Sequence, residues 1–93
     1  MPDTVAIAAF RSRQQVMRFE AILRRAGVPC RVVSTPRDIA IGCGLSLEVS
    51  MEDAEDAIAL YNRFRPGNLI GFYQVTRNGS ARARSAPIYR RES

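Results

Sequence analysis

The residues of this 93-residue chain best suited to chemistry are Cys43, set between Gly42 and Gly44, and Arg37 earlier in the same loop. Flanking glycines allow backbone conformations in which successive N–H groups converge on one point. A sulfur anion there could accept those hydrogen bonds. A guanidinium close to the thiol would favour the thiolate and lower its pKa. Thiolates attack disulfides, persulfides and other electrophilic sulfur or selenium. The residues leave a second reading open. A free cysteine often serves as a small buried hydrophobe, and Arg37 could be a solvated cation paired with its neighbour Asp38. An Asp at such a position also commonly caps a turn.

Composition removes several other chemistries. The chain has no His, so no Ser-His or Cys-His pair can form within it. Its two cysteines, Cys30 and Cys43, have twelve residues between them, which is neither a CxxC pair nor a four-ligand zinc pattern. No metal or cofactor is expected. Cys30 stands beside Val32 and Val33, where packing is the expected role. Glu52, Asp53, Glu55 and Asp56 suit the positive end of a helix dipole better than a metal. The N-terminus has no basic region leading into a long apolar stretch. No apolar run approaches the ~20 residues of a membrane helix. A cytoplasmic location, with both thiols reduced, is therefore expected.

The loop must be held by regular elements, and the hydrophobic pattern supplies them. Thr4–Phe10 is apolar on both faces, as in a central strand. Ser12 and Gln15 have the spacing of a capping box. Val16, Phe19, Ile22, Leu23 and Ala26 then recur at helical spacing until Gly27. Pro29–Ser34 reads as a strand near an edge. Thr35–Gly44 is a connection of ten residues, where a hairpin needs only about 2–5. Ile39 and Ile41 are too apolar for a free loop, and anchoring against the sheet is the expected role. Leu45–Val49 alternates like a half-buried strand. Ser50 and Asp53 open a second helix, with Ala54, Ala57, Ile58, Tyr61 and Phe64 as its apolar stripe, and Pro66-Gly67 ends it. Leu69–Val75 is a fourth strand. The order predicts an α+β, ferredoxin-like βαββαβ domain: a four-stranded antiparallel sheet with both helices on one face. Right-handed crossovers put the first and third strands side by side at its centre.

Charge divides the chain. All 14 basic residues are Arg, and the sequence to Thr76 is nearly neutral. From Arg77 onward five arginines face one acid. The expected organisation is a domain over residues 1–76 and a mobile, Arg-rich tail over 77–93. Arg82, Arg84, Tyr89, Arg90 and Arg91 are the tail's candidate partner contacts, since Tyr and Arg are frequent hot-spot residues. The tail gives a second functional class: a non-enzymatic interaction or regulatory subunit that docks a larger protein complex. Nucleic acid is disfavoured, because the near-neutral body offers no dedicated groove. Phe72 and Tyr73 could stack on bases, but lie on one strand without a basic-aromatic signature, so core packing is expected.

Phe10, Ser12, the first helix, Gly27, Thr35-Pro36-Arg37 and Cys43-Gly44-Leu45 occur in an order that resembles the small bacterial selenium/sulfur carrier-like domains. The resemblance covers about Thr4 to Phe64. It implies a ferredoxin-like carrier whose Cys43 thiol transiently holds sulfur or selenium as a persulfide or its selenium analogue. Protein donors and acceptors are implied as partners. Arg37 and Gly44 are matching motif positions. With Gly42, they would stabilise the thiolate and the departing anion.

Overall fold

The structure, a computed structural model, describes residues 3–36, 39, 44–77 and 84–89, with residues 3, 77 and 84–89 described by their backbone. Eight elements follow one another: β1 (Asp3–Phe10), α1 (Arg13–Arg25), β2 (Arg31–Ser34), β3 (Leu45–Ser50), a 3-10 turn (Met51–Asp53), α2 (Ala54–Phe64), β4 (Leu69–Arg77) and β5 (Arg84–Tyr89). The sheet order is β2-β3-β1-β4-β5, and every neighbouring pair is antiparallel. Its first four strands and two helices form the expected α+β, ferredoxin-like arrangement, with β1 and β3 adjacent at the centre.

Alternation along β1 sends Ala6, Ala8 and Phe10 to one side and Ile7 and Ala9 to the other, and all five are buried. The first side receives the helices. Val16, Phe19 and Leu23 of α1 and Ala54, Ala57 and Tyr61 of α2 join Leu47, Val49 and Phe72 there. Four rings make the junction. Phe19 lies 5.7 Å from Phe10, 5.7 Å from Tyr61 and 6.0 Å from Phe72, centroid to centroid. The contacts with Tyr61 and Phe72 are edge-on, the geometry the ring quadrupoles favour. Phe72 and Tyr73 are both buried, on opposite faces of β4, so neither is a free stacking platform.

The helix ends show where local pattern gave way to tertiary contact. Ser12 is the N-cap of α1, but its side chain makes no capping bond. Gln15, the other half of the expected capping box, instead donates from Nε2 to the Pro66 carbonyl at 2.8 Å. That bond ties the start of α1 to the end of α2. At the start of the second helical segment, Ser50 Oγ donates to Asp53 Oδ2 at 2.9 Å across the 3-10 turn. Phe64, assigned to the apolar stripe of α2, is 53% exposed.

The sheet also has a fifth strand, β5. It lies within residues 77–93 and pairs with β4 from Phe72↔Tyr89 to Thr76↔Arg84. Without β5, β4 would present a row of unpaired backbone groups at the sheet edge, which is a template for another strand. Pro87, which has no N–H to give, stands opposite Tyr73, and the register shifts just beyond it, between Tyr73 and Phe72.

Replacing Phe19 by Ala removes the ring that bridges both helices and the sheet. The expected loss of stability is about 3–5 kcal/mol. Met17→Ala, at a position 50% exposed on the same helix, should change it by about 0.5 kcal/mol or less. Urea denaturation of the two variants measures both.

Candidate functional site

The long connection begins where β2 ends and finishes where β3 begins, so the two strands fix its ends. Val33↔Ser46 and Ser34↔Leu45 are the last paired positions of that ladder. Beyond them the Thr35 N–H donates to the Gly44 carbonyl at 3.0 Å. Thr35 Oγ1 and Ser46 Oγ share a hydrogen bond at 2.6 Å. Ser46 has no exposed surface, so this partner offsets the cost of burying its hydroxyl. Together the two bonds form a clasp that closes the base of the loop.

Two further features constrain the segment. Gly44 has φ +85°, a conformation disfavoured by about 1–2 kcal/mol for residues with a Cβ. No atom of the described residues crowds the space where a Cβ would stand, and the backbone conformation itself favours glycine here. Ile39 donates its N–H to the Pro36 carbonyl at 3.1 Å. Its side chain is buried against Ile7, Ala9, Tyr73 and Val75. Ile39 therefore anchors the loop to the sheet face opposite the helices, as its apolar character suggests. Cys43, Arg37, Gly42, Asp38 and Ile41 lie outside the described residues.

Cys30 is half-buried and packs against the helix-side core just before β2. Burial pushes its thiol pKa up, Arg24 pulls it down, and Glu20 adds to the rise. The net direction is upward, so Cys30 is a neutral thiol at neutral pH and a poor nucleophile. It lines a shallow groove of about 290 Å³ with Pro29, Arg31 and Glu48. Arg31 and Glu48 stand directly opposite each other across the β2–β3 ladder, with Nε 3.1 Å from Oε2. That pair joins the two strands and engages the Arg31 guanidinium. Packing is thus the role the structure supports for Cys30.

A comparison with protein families finds one whose description is "Putative Se/S carrier protein-like", matching residues 6–65. The chain belongs to this family. The match runs from the middle of β1 to just past α2, and so contains the whole Thr35–Gly44 loop of the Se/S carrier-like domain. Among curated proteins and solved structures nothing matches the chain significantly. In this Se/S carrier-like chain no group of three His, Cys, Asp or Glu among the described residues could hold a metal ion. No helix among them is long and apolar enough to cross a membrane.

Of the tail residues read as partner contacts, Arg84 and Tyr89 are the first and last residues of β5. Arg82, Arg90 and Arg91 lie outside the described residues. Thr35 and Ser46 are the site residues that sequence reading missed. Ser46 occupies a polar position in an alternating strand and reads as solvent-facing. It is buried because the second face of the sheet is also covered.

Thr35→Val removes the partner of the buried Ser46 hydroxyl and should cost about 1–3 kcal/mol. Thr35→Ser keeps the hydroxyl and should cost appreciably less. Equal losses for both, read by urea denaturation, would mean that the hydroxyl contact contributes nothing.

Proposed function

We propose that this chain is a sulfur or selenium carrier that holds its cargo on Cys43. The observation that carries the reading is membership of the Se/S carrier-like family over a span that includes the Cys43 loop. Two physical features support it. The loop is clasped at its base and anchored at Ile39, which lowers the entropy cost of holding a reactive group in one geometry. The other thiol, Cys30, is disfavoured as a nucleophile by burial.

The chemistry needs no net oxidation. The Cys43 thiolate attacks the terminal sulfur of a donor persulfide. A new S–S bond forms on Cys43, the donor's S–S bond breaks, and the donor departs as a thiolate. An acceptor thiolate then attacks the outer sulfur of the Cys43 persulfide, and Cys43 leaves as the thiolate. A selenium cargo follows the same exchange with selenium as the outer atom. The chain has no His to act as base, so the thiol must be acidified by its surroundings. Arg37 and the amides around Gly42 and Gly44 are the groups assigned to that role. Donor and acceptor proteins are the partners this requires.

The test is intact mass after incubation with a cysteine desulfurase and cysteine. Wild type and Cys30→Ser should each gain one sulfur, and Cys43→Ser should gain none. Equal loading of the two single variants would reject Cys43 as the carrier.

A further inference from the structure

A second feature lies on the other side of the sheet. Between the last turns of α1 and α2 runs a groove of about 320 Å³, lined by Ile22, Arg25, Ala26, Leu60, Arg63 and Phe64. Its floor is apolar, its two charged members are both arginines, and no carboxylate among the described residues lines it. Glu55 and Asp56 belong to the first turn of α2, whereas the groove meets its last. Phe64 is the most exposed large hydrophobic residue of the described chain. The Arg63 guanidinium carbon lies 5.3 Å from the centroid of the Phe64 ring, a cation–π contact that holds both side chains together at the rim.

The arginines are free to act outward. The ion pairs among the described residues join Arg24 to Glu20 and Arg31 to Glu48. Neither Arg25 nor Arg63 has a carboxylate partner among them. At this size the groove sits at the lower end of the ~300–1,000 Å³ of pockets that enclose small ligands, and it is open along the helices. The shape suits side chains of a polypeptide laid across it. The chain's own basic C-terminal segment has the wrong charge for such a seat.

We propose that the α1–α2 groove is a docking site for an acidic, amphipathic helical segment of a partner protein. An aliphatic or aromatic side chain of the partner packs on Ile22, Leu60 and Phe64, and its flanking carboxylates pair with Arg25 and Arg63. Partial desolvation by the apolar floor strengthens those pairs relative to open solvent. The site lies in the helical layer, while the anchor of the long loop, Ile39, packs on the opposite face of the sheet. A partner seated in the groove leaves the Ile39 side uncovered. The inference stands apart from the carrier reading, since it uses no residue of the loop.

The test uses the full chain and a fluorescein-labelled amphipathic peptide with Leu at i and i+4 and Glu at the flanking positions. A second peptide carries Lys in place of each Glu. Amide shift changes on adding the acidic peptide should concentrate at Ile22, Ala26, Leu60 and Phe64. Anisotropy should show binding of the acidic peptide that weakens by roughly tenfold or more in Phe64→Ser and in the double variant Arg25→Glu/Arg63→Glu. All substituted positions are exposed, so folding should survive, and sulfur loading of the same variants should equal wild type. The proposal is overturned if the acidic peptide does not bind, if shifts map elsewhere, if the Lys peptide binds equally well, or if the variants bind as tightly as wild type.

Discussion

Strand β1 is apolar on both faces, and the rest of the molecule answers that constraint. A strand with only one buried face could leave the other to water. Here Ile7 and Ala9 have no exposed surface, and neither do Ala6 on the opposite face and the aromatic Phe19 above it. Burial of apolar area at about 25 cal/mol per Å² therefore favours cover on both sides of the sheet. Two helices cover one side. On the other, Ile39 reaches down from the connection between β2 and β3. The same requirement that builds the core thus also fixes the middle of the loop that carries the candidate chemistry.

This coupling explains why a small domain spends ten residues where a short hairpin would serve. The loop contributes a buried Ile to the second core and is closed at its base by Thr35, Gly44 and Ser46. The adjoining ladder is reinforced on the same strands by the Arg31–Glu48 pair, although exposed pairs of this type contribute only about 0–1 kcal/mol. A domain of this size buries only about 60–65% of its unfolded surface. It lacks the interior volume for a deep active site. The proposed carrier thiol in the β2–β3 connection and the proposed docking on the helical layer call for no such volume.

Much of this was legible in the sequence. The two-faced pattern of Thr4–Phe10, the helical spacing of Val16, Phe19 and Leu23, and the turn glycine Gly27 each report local physics that the fold preserves. Ile39 was legible because an apolar residue in a polar loop needs cover. What escaped depended on partners distant in the chain. Gln15 has the spacing of a capping residue but finds the Pro66 carbonyl, 51 positions away. Ser46 reads as a solvent-facing position until the second face is known to be covered. Arg84–Tyr89 carries no clear strand signal and contains Pro87, and its pairing is set by the open edge of β4. Phe64 completes an apolar stripe, yet its place at the final turn of α2 leaves it on the surface. The chemical roles of Cys43 and Arg37 rest on residue type, on loop context and on the family that the chain belongs to.

A carrier must release what it binds, so the most direct measurement is a single-turnover chase. The Cys30→Ser protein is loaded with sulfur, freed of donor, and mixed with an acceptor thiol while both species are followed by mass. The account predicts that the sulfur leaves Cys43 and is recovered on the acceptor, restoring the original mass of the chain. Sulfur that stays on the protein, or a Cys43 that never loads, would contradict it.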